Sequence, residues 1–138
     1  MAETRTRPAR GLIDTSVVID LEDLDAADLP DEAAISSLTL AELSAGPHTT
    51  DDPEERARRQ DRLQRTEAAF DPLPFDAEAA RSYGRIYSAV LAAGRKARGP
   101  RAIDLLIAAT AHASSLPLYT RNPDDFRGLD KLLEIVTI

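Results

Sequence analysis

Short apolar runs alternate with longer amphipathic segments along this chain. Residues 11–14, 34–37, 116–120 and 134–138 have the length and composition of strands buried in a sheet. Apolar residues at three- and four-residue steps predict helices between most of these strands. Strands that alternate with helices are typical of a parallel sheet. We therefore predict the α/β fold class, with a short central parallel sheet flanked by helices on both faces.

Start and stop signals bound the helices. The predicted helices are residues 17–21, 38–45, 52–70, 76–94 and 102–114. Either Thr15 or Ser16 can cap the first helix, and Asp52 with Glu55 predicts a capping box at the start of the third. Residues 71–75 contain two prolines, which predicts an edge strand or an extended connector.

Length and composition restrict the class of protein. A chain of 138 residues suggests one domain; we expect residues 1–9 to be a disordered tail and residues 10–138 to form that domain. The absence of cysteine excludes disulfides and thiolate metal sites. No apolar run is long enough to span a bilayer, and the polar N-terminus lacks the apolar middle of a signal peptide. We expect a cytoplasmic protein with no membrane partner.

The formal charge of −7 restricts the ligands. An acidic surface repels phosphates, which argues against a protein that only binds nucleic acid passively. Binding of cations or of a basic partner remains compatible. Arginine is nevertheless concentrated within residues 56–65 and 95–101. The first cluster could follow an RNA backbone, or it could be a solvated helix face balanced by neighbouring acids.

Four acidic residues occupy positions that could converge in the predicted sheet. Asp14 ends the first strand, and Glu42 follows the second. Asp104 opens a helix, and Asp125 lies in the loop after a later strand. Ligands of open α/β sheets bind beyond the carboxyl ends of the strands. Carboxylates brought together there must protonate, separate or share a cation, and oxygen ligands without Cys or His suit Mg²⁺ or Mn²⁺.

Three of the four acids also have an ordinary structural explanation. Asp104 in a first helical turn would interact with the helix dipole. Glu42 could face solvent on an amphipathic helix, and Asp125 could form a turn. The hypothesis of a metal site therefore depends on their combination. His112 lies about 12 Å along the helix from Asp104, so we expect a packed or interface histidine rather than a ligand.

Four motifs, in this order and spacing, resemble those of PIN-domain proteins. They are LIDTSVVIDL, TLAEL, IDLLIAATA and LYTRNPDDF. Within that family the chain is most similar to the toxin subunit of bacterial VapBC toxin–antitoxin pairs. The resemblance extends from Gly11 to the C-terminus. Each motif alone is loose, whereas the set of four is fairly specific.

The resemblance implies a set of catalytic and metal-binding acids. Asp14, Glu42 and Asp104 match acidic positions of the family motifs. The fourth position falls either at Asp125 or at Asn122, and an amide there would weaken a second metal ion more than the first. Asp14 and Asp104 would be the main ligands of Mg²⁺, with Mn²⁺ as a plausible substitute.

Polar and basic residues near the acids complete the expected site. Ser16 could orient a carboxylate or a water through a hydrogen bond, or could simply cap a helix. Asn122 would support the site in the same way if it is not itself the fourth ligand. Arg98, Arg101 and Arg121 are the expected RNA contacts.

The resemblance also implies a function. The chain would be a Mg²⁺-dependent endoribonuclease toxin that hydrolyses RNA phosphodiester bonds and leaves a 5′-phosphate and a 3′-hydroxyl. A carboxylate-bound metal would lower the pKa of its water and polarise the phosphoryl oxygen. A cognate antitoxin would neutralise the toxin with an extended tail, and one of its basic side chains can displace the metal. A homodimer or a toxin–antitoxin hetero-oligomer is the expected assembly.

Two other functions stay open. A non-catalytic PIN-like module that binds RNA or a protein is the main alternative, and it gains weight if Asn122 fills the fourth position. A phosphoryl-transfer receiver domain also clusters aspartates in an α/β fold. It is disfavoured because Leu12 and Ile13 stand where its acidic pair is expected, and because no lysine follows the last main helix until Lys131.

Overall fold

The computed structural model describes residues 9–97 and 99–138 and contains a four-stranded sheet. Its strands are β1 (Arg10–Ile13), β2 (Glu32–Ala34), β3 (Leu118–Thr120) and β4 (Ile135–Thr137). Their order is β2-β1-β3-β4, and every neighbouring pair is parallel. The predicted parallel sheet is confirmed. The predicted tail, apart from Ala9, lies outside the described residues.

The second strand lies earlier in the chain than predicted. β2 ends at Ala34, whereas the apolar run suggested a strand over residues 34–37. Ser36 instead caps the next helix, because its hydroxyl accepts a hydrogen bond from the backbone N–H of Leu38. Leu73 exchanges backbone hydrogen bonds with this segment, so residues 71–75 form the predicted extended connector.

Five α-helices pack around the sheet in the part of the chain that the structure describes. They are α1 (Thr15–Ile19), α2 (Ser37–Ala45), α3 (Pro53–Ala69), α4 (Ala77–Ala92) and α5 (Ala102–Ala113). Each lies within a few residues of a predicted helix. A 3₁₀ turn, Pro123–Phe126, follows β3. Among the described helices, none combines the length and the apolar character needed to cross a bilayer.

The predicted cap of α1 is wrong. Asp14, rather than Thr15 or Ser16, caps this helix by accepting a hydrogen bond from the backbone N–H of Val17. The helix begins at Thr15, two residues earlier than the apolar pattern indicated. The turn from β1 to α1 is therefore a single residue, Asp14.

The predicted capping box of α3 is also incomplete. Asp52 accepts a hydrogen bond from the backbone N–H of Glu54, as a cap should. The carboxylate of Glu55 accepts hydrogen bonds from the guanidinium groups of Arg58 and Arg59 instead of reaching back to the cap. The backbone N–H of Asp52, which a capping box would bond to Glu55, donates instead to the hydroxyl of Thr50 at 3.2 Å.

Apolar side chains fill both faces of the sheet. Leu12 and Leu118 belong to a core cluster that includes residues of α4 and α5. Ile13 and Tyr119 belong to a second cluster, which includes residues of α1 and α2. Successive residues of a strand point to opposite faces, so each central strand contributes to both clusters. The prediction of helices on both faces is confirmed.

The carboxyl ends of the two central strands lie side by side. Ile13 pairs with Tyr119 in parallel register. The backbone N–H of Asp14 donates a hydrogen bond of 3.0 Å to the carbonyl oxygen of Tyr119. As a result, β1 brings Asp14, and β3 brings Thr120 and Arg121, to the same edge of the sheet.

Candidate active site

Asp14 is the most deeply buried acid at this edge. Its side chain is 4% exposed. One carboxylate oxygen, Oδ1, accepts hydrogen bonds from the Ser16 hydroxyl at 2.6 Å and from the backbone N–H of Val17 at 3.1 Å. Burial raises the pKa of Asp14, while hydrogen bonds from Ser16, Thr120 and Val17 oppose that rise. The protein thus keeps a buried carboxyl group at the end of a strand and surrounds it with donors.

Glu42 reaches the same region from α2. It is half-buried, and its Oε1 accepts a hydrogen bond of 2.5 Å from the hydroxyl of Thr15. The Thr15 hydroxyl is also 3.0 Å from the hydroxyl of Thr39. Because Thr15 directly follows Asp14, this contact brings Glu42 to the N-terminus of α1. Glu42 is therefore not a solvent-facing residue of an amphipathic helix.

Asp104 lies in the first turn of α5 and feels the other acids. Its pKa is raised to about 7, first by burial and then by the negative charges of Asp125, Glu42 and Asp14. The charge of Arg101 acts in the opposite direction. A helix dipole alone would lower the pKa of an acid in a first turn. The direction of the shift therefore means that repulsion and desolvation outweigh the helix and the single arginine.

The loop after β3 contributes Asp125 rather than its neighbours. Asp125 is half-buried, and its charge has the largest effect of the three acids on Asp104. Asp124 is exposed and pairs with Arg127 at 2.5 Å, so it behaves as an ordinary turn residue. Asn122 is exposed, and its backbone N–H donates to the Thr120 hydroxyl at 3.0 Å.

Asp125, Glu42 and Asp14 lie near enough to raise the pKa of Asp104, but the four side chains do not close around one point. In residues 9–97 and 99–138, no three acidic or histidine side chains stand close enough to hold an ion between them. Asp14 and Glu42 are turned toward hydroxyl donors. Like charges repel strongly in a partly buried site, which favours such a spread arrangement.

Two of the predicted RNA contacts, Arg101 and Arg121, lie at the rim of this region. Arg121 forms an ion pair of 2.8 Å with Asp20, and its backbone N–H donates to the Ser16 hydroxyl at 3.1 Å. Arg101 donates to the carbonyl oxygen of Asp124 at 3.3 Å. Arg98 lies outside the described residues.

The arginines of α3 are mostly occupied within the chain. Arg56 donates to two backbone carbonyls, and Arg58 and Arg59 bind Glu55. Arg65 pairs with Asp61 at 2.8 Å. These contacts favour the interpretation of residues 56–65 as a solvated helix face over that of an RNA track.

Two cavities lie beside α1. One, of about 460 Å³, is lined by Ser16, Ile19, Asp20, Arg121 and Asn122. The other, of about 380 Å³, is lined by Thr15, Ile19, Glu42, Leu43, Gly46, Glu55, Arg59 and Arg62. A larger groove of about 1030 Å³ runs between α4 and the segment after the Pro123–Phe126 turn, and none of the four acids lines it. Of the four acids, only Glu42 lines one of these three spaces.

Sequence reasoning missed the threonines of the site. Thr15 and Thr120 bind Glu42 and Asp14, and Thr39 supports Thr15 from the interior. A signal existed for two of them. Thr15 directly follows Asp14 in the sequence. Thr39 lies three residues before Glu42 on α2, so the two share one face of the helix. His112 is packed as expected, with Nδ1 at 3.0 Å from the Ser82 hydroxyl.

Comparisons with known proteins point to one family. The family model described as the PIN domain matches residues 11–132. Ribonuclease VapC5 of Mycobacterium tuberculosis is 40% identical over 128 residues, which cover 91% of each chain. Ribonuclease VapC of Rickettsia bellii is 33% identical over 132 residues, which cover 92% of this chain and 95% of that protein.

Solved structures agree with this comparison. The VapBC-5 member of the VapBC toxin–antitoxin systems of Mycobacterium tuberculosis contains a chain with a TM-score of 0.83 and 38% identity. The match covers 95% of this chain and all of that one. FitAcB from Neisseria gonorrhoeae matches with a TM-score of 0.68 and 27% identity, over 91% of this chain and 96% of that one.

Proposed function

The chain belongs to the PIN domain family, and from that premise we propose that it is a divalent-metal-dependent endoribonuclease and the toxin of a toxin–antitoxin pair. Relatives that match over nine-tenths of the chain are named ribonucleases VapC. A solved structure with a TM-score of 0.83 is a member of the VapBC toxin–antitoxin systems. The family and the named relatives together support both the reaction and the partner.

One observation carries the proposal of a nuclease site. Four acids come from separate segments, and burial, followed by the charges of Asp125, Glu42 and Asp14, raises the pKa of Asp104 to about 7. A protein that used these acids only as caps and turn formers would have no reason to concentrate them beside two buried strand ends. Such concentration of charge opposes folding, and perturbed acids of this kind cluster at functional sites.

The chemistry of the four acids suits a hard divalent cation, although the described side chains do not close around a common point. Their oxygen-only donor set, with no cysteine in the chain, suits Mg²⁺ and, as a substitute, Mn²⁺. We assign the metal to Asp14 and Asp104 first, with Glu42 and Asp125 completing the set. Asp125 is preferred to Asn122 because its charge acts most strongly on Asp104 among the neighbouring acids.

The residues of the chain have separate roles in the proposed reaction. When bound, the cation lowers the pKa of a water and neutralises charge on the phosphate. Glu42 orients the attacking water or accepts its proton. Ser16 holds Asp14 in place by its hydrogen bond. Arg101 and Arg121 bind the RNA phosphates on either side, and hydrolysis leaves a 5′-phosphate and a 3′-hydroxyl.

The proposed partners follow from the same acids. A cognate antitoxin covers the site and inhibits it by placing a basic side chain among them. From the resemblance to the family, we propose a homodimer in the cytoplasm as the active form and a hetero-oligomer with the antitoxin as the inhibited form.

Amide substitution of the two main ligands tests the reaction. Asp14→Asn and Asp104→Asn remove a negative ligand while keeping the shape of the side chain. We expect kcat for cleavage of an RNA oligonucleotide to fall at least about a hundredfold. Loss of a residue that only hydrogen-bonds to a metal ligand typically costs about 10–100-fold, and loss of the ligand itself should cost more. EDTA should abolish cleavage by the unchanged protein. Cleavage that survives both substitutions and EDTA would reject the metal-dependent mechanism.

The choice of Asn at position 14 separates catalysis from folding. Asn caps helices as well as Asp does, whereas Ala removes the cap of α1 at a cost of about 0.5–2 kcal/mol. Asp14→Asn should therefore unfold near the wild-type temperature, and Asp14→Ala should unfold earlier. Thermal unfolding of both variants distinguishes a lost ligand from a lost cap.

A specific observation keeps a second function in view. No three acids of the described residues close around a common point, which is also what a non-catalytic PIN-like module would show. Titration calorimetry with Mn²⁺ separates the two. An enzyme should bind the ion at submillimolar to millimolar concentration, whereas RNA binding without ion binding would identify the module.

A further inference from the structure

The turn between β1 and α1 contains adjacent hydroxyls that bind different acids. Ser16 donates to Asp14 at 2.6 Å, and Thr15 donates to Glu42 at 2.5 Å. Ser16 is in turn held by the backbone N–H of Arg121 at 3.1 Å. Thr15 is supported differently, by the hydroxyl of a buried threonine. The role of Thr15 is not explained by the capping of α1, because Asp14 is the cap.

The single hydrogen on each hydroxyl fixes which residue donates in the contact between Thr15 and Thr39. A hydroxyl has one hydrogen to donate. Thr15 gives its hydrogen to Oε1 of Glu42, so it can only accept from Thr39, 3.0 Å away. The order of donation is therefore Thr39 to Thr15 to Glu42. We call these three residues the relay. The hydroxyl hydrogens of Thr39 and Thr15 can point in only one direction along it, and Oε2 of Glu42 remains for other partners.

Burial makes the relay rigid. Thr39 is fully buried, and Thr15 and Glu42 are half-buried. Thr39 and Glu42 lie three residues apart on α2 and therefore on one face of the helix. Thr15 is the only member on α1, so the relay joins α1 to α2 across the candidate site. β-Branched side chains such as threonine have few χ1 alternatives, which helps to keep both hydroxyls in place.

We propose that Thr15 is a positioning residue that, backed by Thr39, holds Glu42 with one oxygen engaged and the other directed to the divalent cation or its water. This inference rests on the proposed function for its meaning in catalysis, although the geometry of Glu42 can be tested without it. Residues that orient a metal ligand through hydrogen bonds typically change affinity or activity by about 10–100-fold.

Thr15→Val tests the relay because valine keeps the shape and removes the hydroxyl. We expect kcat for an RNA oligonucleotide to fall about 10–100-fold, with KM changed less than kcat. We expect the Kd for Mn²⁺, measured by calorimetry without RNA, to rise by a similar factor. Thr15→Ser restores the hydroxyl and should recover most of both losses. Thr15→Ala should behave like Thr15→Val, and it serves if valine disturbs the fold.

Thr66→Val is the matched control. Thr66 is buried on α3, and its hydroxyl donates at 2.8 Å to the carbonyl oxygen of Arg62. The same chemical change there should alter thermal stability but leave kcat and the Kd for Mn²⁺ as in the wild type. A crystal structure of metal-free Thr15→Val should show the Glu42 carboxylate displaced from its wild-type position.

The outcomes separate this inference from the proposed function. If Asp104→Asn is inactive but Thr15→Val has wild-type kcat and Mn²⁺ affinity, the relay is overturned and the nuclease stands. If Thr15→Ser is as impaired as Thr15→Val, the hydroxyl is not responsible, and the relay is again overturned. If the wild type cleaves no RNA but Thr15→Val displaces Glu42 and weakens Mn²⁺ binding, the relay stands and the nuclease fails.

Discussion

At the scale of single residues, Asp104 is an acid whose ionisation is opposed by its surroundings. Its carboxyl group is half-buried beside the charges of Asp125, Glu42 and Asp14, and its pKa is about 7 instead of 3.8. The acid in the first turn of a helix would ordinarily be stabilising. Here it opposes folding whenever it is ionised, because burial and the neighbouring negative charges outweigh the positive charge of Arg101. Arg101 lowers the pKa only partly.

The raised pKa of Asp104 predicts a pH dependence of stability. Between about pH 4 and pH 7 the folded protein holds a proton on Asp104 that the unfolded chain has released. The free energy of unfolding should therefore decrease as pH rises through this window and level off above pH 7. Asp104→Asn should show a smaller decrease, because the raised pKa of Asp14 acts in the same direction, and should gain most over the wild type near pH 8.

Chemical denaturation in the presence of EDTA at pH 4.5, 6 and 8 measures this effect. Asp125→Asn is a useful companion variant. Among the neighbouring acids, Asp125 raises the pKa of Asp104 most, so removing its charge should lower that pKa. Equal pH dependence in the wild type and Asp104→Asn would show that Asp104 does not carry the effect.

At the scale of elements, the contact of β1 with β3 depends on Gly11. A Cβ atom at Gly11 would lie 2.5 Å from Cε1 of Tyr119, whose side chain is fully buried. A buried ring in a packed core cannot move away freely. β1 carries Asp14 at its end, so this close approach also sets the position of the candidate site.

Two glycine substitutions should have opposite effects on stability. Gly11→Ala should destabilise the protein by about 1–3 kcal/mol, because the methyl group overpacks the contact with Tyr119. Gly84 lies in α4, and nothing stands within 4 Å of a Cβ atom there. Gly84→Ala should stabilise by about 0.5–1 kcal/mol, since alanine favours a helix interior. Urea unfolding of both variants provides the comparison, and loss of stability in both would contradict the packing argument.

At the scale of the whole molecule, acidity connects the proposed metal with the proposed antitoxin. The chain carries a formal charge of −7, and its candidate site adds a local excess of negative charge. A divalent cation and a basic side chain of a partner would both relieve that excess. Ligands that relieve the same charge should exclude each other, and such coupling is reciprocal.

This coupling predicts competition between Mn²⁺ and the cognate antitoxin. Saturating Mn²⁺ should weaken antitoxin binding by about 5–150-fold, the usual range of coupling between ligands. Asp104→Asn should reduce both the affinity for Mn²⁺ and the size of the competition. Calorimetric titration of antitoxin into toxin with Mn²⁺ or EDTA measures it. Equal affinity in the two conditions would show that the antitoxin inhibits without entering the acidic site.

The sequence by itself determined the α/β class and the approximate positions of the helices, and it supplied the acids that are proposed for the site. Apolar periodicity reports which segments are buried, and acids placed at strand ends and helix starts are visible without coordinates. The sequence pattern places the start of α1 two residues too late. Local signals favour Thr15 or Ser16 as the cap, whereas Asp14 is both the cap and a candidate ligand.

Only the tertiary structure decided which groups face each other. The parallel register of β1 and β3 places Asp14 beside Thr120, and the packing of α2 against α1 brings Thr39, Thr15 and Glu42 into one relay. The raised pKa of Asp104 likewise depends on charges from distant segments. Hydrogen bonds and Coulomb interactions depend on separation in space, and a list of residues does not contain those separations until the chain has folded.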